Sequence, residues 1–351
     1  MPLTGCGKTR GAVSNPPVPP KASSLFGHNA TALLPHRSSF RRNIRARSGD
    51  RGFSRNLLKL LAAALALTAL AACSRPGAPK RPLLHGEAAP IAVVTTFSTL
   101  NSFVEAVGGK RVRVQNLVPI GVSPEDYQPT PQDIATLNGA QLLVENGAGI
   151  EAWLQRTIAN VGNAGLKIVV LSRGLPIKDK NPHLWMDPEL AKSYVRRVRD
   201  ALIEIDPGNR DYYMHNARLY LERLDRLEAY ISREIDTIPP QRRTMIVYHN
   251  AWLYYNDRFG IRTVGVIELS PGQDPNPAYI AELVDLAKKY KVRAVFAEPE
   301  YSPKLADALA QSAGIKTVRN LYDDSIGEGP HVKDYISMLR YDTRVIVRAL
   351  K

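Results

Sequence analysis

The sequence predicts an α/β protein built as two βα lobes with mainly parallel sheets, joined by one long connecting helix. Three observations predict it. From Ile91 onward, short runs rich in β-branched residues alternate with stretches of helical periodicity, the pattern of βαβ units. The alternation starts afresh at Thr244. Between the two lies an unbroken helical pattern from Asp206 to Ile238, which at 1.5 Å per residue would reach roughly 45 Å.

The elements follow in order. In an N-terminal lobe, residues 90–205, strands are expected at Ile91 to Phe97, Val112 to Val118, Leu142 to Glu145 and Lys167 to Leu171. Helices are expected from there to about Val107, around Glu151 to Asn160, and from Asp187 to about Ile205. The connecting helix, residues 206–238, takes Asp206 as its N-cap and Pro207 at its first position. Tyr213, Ala217, Leu221, Leu224, Leu227, Ile231 and Ile235 form its apolar stripe, and Pro239-Pro240 stops it. In a C-terminal lobe, residues 239–351, strands are expected at Thr244 to Tyr248, Thr263 to Leu269, Arg293 to Ala297 and Thr317 to Leu321. Helices fall at Tyr279 to Tyr290, Pro303 to Ala313 and from about Val332 to the end. In open α/β sheets ligands sit beyond the carboxyl ends of the strands, so the polar residues there carry the functional reading.

The first 89 residues read differently. Residues 1–50 are rich in Pro, Ser, Arg and Gly without apolar periodicity, a composition that cannot bury a core. Gly5-Cys6-Gly7-Lys8-Thr9 ends like a phosphate-binding loop, but the first glycine of that pattern would fall at Pro2 and no strand precedes it. Residues 51–72 place Arg51, Arg55 and Lys59 before an apolar run from Leu60 to Ala72. That run is short of the roughly 20 residues a membrane span needs and fits a secretory signal. Its end, Leu70-Ala71-Ala72-Cys73, resembles the bacterial lipobox, which implies lipidation of Cys73 and removal of what precedes it. A signal some fifty residues in predicts a translation start downstream of Met1. Residues 73–89, with several Pro and bases, read as a tether.

Charge excludes one class. The net +14 is uneven: eleven bases and one acid fall in residues 1–72, which leaves only +4 on the rest. No nucleic-acid footprint remains. The two cysteines, Cys6 and Cys73, leave the exported body without a disulfide, so its core must hold it.

Of seven histidines, His28, His36 and His85 precede the lobes, His215 lies on the connecting helix, and His331 lies near the last helix. His183 and His249 lie at strand ends. Asn181-Pro182-His183-Leu184-Trp185-Met186-Asp187-Pro188 resembles the Asp-Pro-His-x-Trp-x-Asp-Pro motif of bacterial zinc- and manganese-uptake binding proteins, the cluster A-I solute-binding proteins. Gly121 to Pro131 is similar to the family's Gly-x-Asp-Pro-His-x-Tyr-Glu-Pro-Thr-Pro, with Glu125 where the family usually has His. Tyr248-His249-Asn250-Ala251-Trp252 and Leu321-Tyr322-Asp323-Asp324-Ser325-Ile326-Gly327 match two further segments in the family's order.

The resemblance implies a metal ion held between the lobes by four side chains: Glu125, His183, His249 and Asp324, with Asp323 as the fallback for the last. Two imidazoles and two carboxylates suit zinc or manganese, with ferrous iron behind them. Glu298, at a strand end, reads either as a partner of a ligand histidine or as a surface acid, and Trp185 and Trp252 read as packing. The implied protein is a monomeric carrier, not an enzyme, exported and lipid-anchored. Its partners are a membrane permease and an ATPase, and no nucleic acid. Two other readings stay open here. A binding protein for a metal chelate such as a siderophore or cobalamin would share the two lobes. An exported metallohydrolase would need an open metal position, and the sequence has neither His-Glu-x-x-His nor Gly-x-Ser-x-Gly.

Overall fold

The computed structural model describes residues 89–351 except Glu328. The leader, the signal, Cys73 and most of the tether lie outside the described residues. None of the described helices is long and apolar enough to cross a membrane.

The chain forms β1 (Ile91–Thr95), α1 (Ser98–Gly108), β2 (Val112–Asn116), α2 (Pro131–Asn138), β3 (Leu142–Glu145), α3 (Leu154–Ile158), β4 (Lys167–Val170) and α4 (Pro188–Ile205). The long helix α5 (Arg210–Asp236) follows. The second lobe has β5 (Thr244–Val247), α6 (Leu253–Phe259), β6 (Arg262–Val266), α7 (Pro277–Lys289), β7 (Ala294–Phe296), α8 (Lys304–Ala313), β8 (Lys316–Val318) and α9 (Tyr335–Leu350). Each lobe is one parallel sheet of four strands, with the orders β2-β1-β3-β4 and β6-β5-β7-β8. The expected fold class is therefore the observed one.

The two lobes repeat one winding. The first strand of each lobe is internal, and the chain passes to one neighbour and then to the other. A crevice opens at that change of direction, beyond the carboxyl ends of β1 and β5. Burial explains which strands are central. In β1 every residue except Ala92 is buried, while β2 alternates half-buried and exposed positions as an edge strand does. In the second lobe Gly265 of β6 lets α7 close on the sheet, since a Cβ there would lie 2.6 Å from Leu283 Cδ2.

Two details of the long helix depart from expectation. Asp206 does not cap it. Pro207–Asn209 forms a separate 3-10 turn, and the Asp206 carboxylate instead accepts from the Asn209 amide and the Tyr213 hydroxyl. The buried stripe is Tyr213, Ala217, Tyr220, Leu224, Leu227, Ile231 and Ile235, so Tyr220 takes the place expected for Leu221. The reason is local: Tyr220 packs edge-on against Phe103 of α1. Helix α3 is also shorter than expected, because Glu151 turns inward. Its carboxylate accepts from Thr96 Oγ1 and from the backbone N–H groups of Asn146 and Gly147. Helices α2 and α6 were not foreseen.

One continuous apolar core joins the lobes. It runs from Val93 and Leu142 through Leu224 and Ile231 of α5 to Met245 and Val247. The lobes therefore share a packed interior, and relative motion must be small or confined to loops.

Candidate metal centre

Four loops at strand ends bring the predicted side chains to one point. His183 follows β4 by a loop and begins the 3-10 turn Leu184–Met186, which leads into α4 through the N-cap Asp187. His249 lies two residues past β5 and starts the turn Asn250–Trp252 that opens α6. Asp323 and Asp324 lie between β8 and α9. Their backbone carbonyls accept from Thr99 Oγ1 at the start of α1, at 3.2 and 2.8 Å, so the acidic segment of one lobe is clamped to a helix of the other. Glu125 lies in the β2–α2 loop, which is pinned by Trp153 Nε1 donating to the Pro124 carbonyl at 2.8 Å and by the Gly121 N–H donating to Ser325 Oγ at 3.2 Å.

The side-chain atoms converge. His183 Nε2 lies 3.4 Å from His249 Nε2, 3.5 Å from Asp324 Oδ1 and 3.7 Å from Glu125 Oε1. Ligands at about 2.1 Å in a tetrahedron stand about 3.4 Å apart, so these separations are close to tetrahedral edges. His183, His249 and Asp324 are buried, and the Glu125 side chain is the most exposed of the four at 15%. Neither carboxylate oxygen of Asp324 has a hydrogen-bond partner among the described residues. Buried anionic oxygens without a donor are costly, and a cation would satisfy them.

Further residues act on the imidazoles. Asn181 Oδ1 faces His183 Nδ1 at 3.1 Å. Glu298, 2% exposed, places Oε2 3.7 Å from His249 Nδ1, an ion-pair contact beyond hydrogen-bond length. Asp323, wholly buried, lies 3.8 Å from His249 Nε2. His249, Glu298 and Asp323 thus form a second donor group that shares His249 with the first. Burial disfavours the charged imidazolium of His249, but Asp323, Glu298 and Asp324 outweigh burial and hold its pKa well above the usual value. Burial raises the pKa of Glu125, against the attraction of His183. Proton and metal ion therefore compete for the same atoms.

Both indoles do more than pack. Trp185 Nε1 donates to the Asp323 carbonyl at 3.0 Å, and Trp252 Nε1 to Glu298 Oε1 at 3.3 Å. Burial excludes the surface-acid reading of Glu298, whose Oε2 stands in ion-pair range of His249 Nδ1. The roles of Asn181 and Thr99 were not visible in the sequence. The only advance signal was Asn181 itself, an amide where the resembling motif has an acid. A cavity of about 440 Å³ leads to the centre, lined by Glu125, His183, His249, Asn250, Glu268 and Pro271 among others. A second, of about 490 Å³, is lined by Glu125, Tyr127 and Trp153 among others.

Two like-wound lobes enclosing buried imidazoles and carboxylates define a two-lobed binding protein of the metal-uptake type. The profile of the family described as zinc-uptake complex component A, periplasmic, matches residues 93–349, and the chain belongs to this family. The manganese-binding lipoprotein MntA of Halalkalibacterium halodurans is 32% identical, over 74% of this chain and 88% of that protein. The iron-binding protein YfeA of Yersinia pestis is 29% identical, over 73% of this chain and 85% of its own length. A crystal structure of ZnuA, 30% identical, superposes with a TM-score of 0.67 and covers 75% of this chain and all of that one.

Proposed function

We propose that this chain is the extracytoplasmic metal-binding component of an ABC importer. It captures a divalent transition-metal ion, zinc or manganese, between its lobes and hands it to a membrane permease served by an ATPase. Glu125, His183, His249 and Asp324 are the ligands. The observation that carries the reading is the convergence of His183 Nε2 with His249 Nε2, Asp324 Oδ1 and Glu125 Oε1 at 3.4–3.7 Å, with neither Asp324 oxygen hydrogen-bonded among the described residues. Membership of a family of uptake components, and relatives named for binding manganese and iron, support it.

The protein binds without turning over a substrate. Two imidazoles and two carboxylates would close the ion's coordination, whereas catalytic zinc keeps an open position. Near-tetrahedral spacing suits zinc, and two oxygen ligands suit manganese. The carrier is a monomer, exported and held at the membrane by a lipid on Cys73. Release proceeds through the loops, Glu125 first, because the lobes share one core.

The test is metal content. The processed protein, stripped of metal and dialysed anaerobically against equal zinc, manganese and ferrous iron, should hold one ion per chain by mass spectrometry. His183→Ala should lose it and Glu125→Ala should hold it more weakly. No stoichiometric metal in the wild-type protein would refute the proposal, and an unmodified Cys73 in the membrane fraction would remove the anchor.

A further inference from the structure

Asn181 is a buried amide whose every polar group is engaged. Its Oδ1 accepts from the His183 backbone N–H at 3.0 Å and faces His183 Nδ1 at 3.1 Å. Its Nδ2 donates to the carbonyl of Asn250, the residue after His249, at 2.5 Å. Its backbone N–H donates to the Lys178 carbonyl at 2.7 Å, and its own carbonyl accepts from the Tyr254 hydroxyl at 2.9 Å. That hydroxyl accepts in turn from the Lys178 N–H at 2.9 Å, and Lys178 Nζ pairs with Asp257 at 2.7 Å. Tyr254 and Asp257 belong to α6 of the second lobe.

The amide has one allowed orientation. Turned over, it would put its NH2 group against the His183 backbone N–H and its oxygen against the Asn250 carbonyl. An oxygen beside His183 Nδ1 requires the proton on that nitrogen, which leaves the lone pair of Nε2 aimed at His249 and Asp324. The strain nearby agrees with a fastened loop. Asp179 and Lys180 both hold positive φ, 51° and 58°. Non-glycine residues keep such conformations where surrounding contacts over-determine them.

We propose that Asn181 is a positioning residue: one amide fixes the tautomer of His183 and ties its loop to the His249 segment, so that the two imidazoles stand as a preformed pair. The proposal rests on the metal reading above for its purpose. An aspartate, the residue of the resembling motif, could hold the Nδ1 proton. It has no donor for the Asn250 carbonyl and would face it with a lone pair. In this chain the amide does two jobs, and two variants separate them.

The experiment reads tautomers in the metal-free full chain, labelled with ¹⁵N-histidine, by long-range ¹H–¹⁵N correlation above the imidazole titration range. The His183 signal is identified by its loss in His183→Ala. The wild-type protein should show the Nδ1–H tautomer alone. Asn181→Ala should mix the tautomers and, once loaded with zinc, release the ion to a chelator at least about tenfold faster. Asn181→Asp should keep the tautomer while hydrogen exchange rises across residues 249–254. A wild-type Nε2–H tautomer, or a single unchanged tautomer in Asn181→Ala, overturns the proposal. Should the alanine variant not fold, the wild-type spectrum and the aspartate variant still decide it. The tautomer readout needs no metal, so a chain that binds none would sink the proposed function and leave this result standing by itself.

Discussion

Arg258 should hold the two lobes together chiefly through the Asp187 carboxylate, with Glu228 Oε1 a further 3.5 Å ion-pair contact of its Nη1, and its removal should be felt in stability more than in metal binding. Its Nε and Nη2 donate to the two oxygens of Asp187 at 3.0 and 2.9 Å, a two-pronged contact between α6 of one lobe and the cap of α4 in the other. Asp187 Oδ1 also accepts from the Glu189 N–H at 2.9 Å, so the same carboxylate starts α4. The Asp187 side chain is 9% exposed and that of Arg258 33%. Hydrogen bonds to charged groups contribute about 1.5–3 kcal/mol each, and the exposure of the arginine screens the pair toward the low end. Arg258→Met, which keeps part of the stem, should therefore cost about 2–3 kcal/mol. For a body of this size that corresponds to roughly 5–10 °C in Tm. The assay is a double-mutant cycle with Asp187→Asn, read by urea and thermal unfolding of the metal-free protein. A coupling energy of at least about 1 kcal/mol is expected. Single variants that lose stability with coupling below about 0.5 kcal/mol would show that the two residues act separately, and the reasoning would fail.

Three more outcomes follow from the same geometry. Glu298→Gln keeps an acceptor for Trp252 and removes the charge behind His249; metal affinity measured by competition with a chelator should fall about 10–100-fold, and an unchanged affinity would reduce Glu298 to packing. Burial pushes the Glu151 carboxyl up to about 7 from 4.5, against its hydrogen bonds from Thr96, Asn146 and Gly147. A raised acid contributes stability below its unfolded value that is lost as pH rises through the folded one, about 3 kcal/mol in all as an order of magnitude. The unfolding free energy of wild type minus that of Glu151→Gln should therefore fall between about pH 4.5 and 7, and a difference flat with pH would discard the assignment. Gly147 holds φ +78°, and a Cβ there would lie 2.4 Å from Val170 Cγ1; Gly147→Ala should cost more than about 1 kcal/mol, seen as a lower urea midpoint, and an unchanged midpoint would show that the loop gives way.

The parts of the fold that were legible in the sequence are those governed by period. β3 falls on Leu142–Glu145 as expected, because a short apolar run between turn residues leaves little choice. The long helix was legible for the same reason. Its start was not, because the Asp206 carboxylate serves Asn209 within a 3-10 turn and Tyr213 beyond it instead of capping the helix, and the residue's type does not say so. Helix α2 escaped because its eight residues, Pro131–Asn138, bury only Asp133 and Leu137 and carry little apolar pattern. Its signal was the cap, Thr130 with Asp133 three residues on.

The site was legible for a different reason. No periodicity points to Glu125, His183, His249 and Asp324, which are spread over two hundred residues of sequence; only a resemblance in four motifs linked them. What it could not supply is the support behind them, since a side chain's partner depends on packing that no motif writes down. Trp185 is the clearest case. Its size predicted burial, and burial alone would leave an indole N–H without an acceptor. The fold brings it the Asp323 carbonyl. The same carbonyl accepts from Thr99 of α1, and its neighbour Asp324 offers two unpartnered oxygens to the centre. Both carbonyls of the acidic pair and the Asp324 N–H are thus engaged while the Asp324 carboxylate has no hydrogen-bond partner among the described residues, which is how a protein can hold a ligand ready without neutralising it.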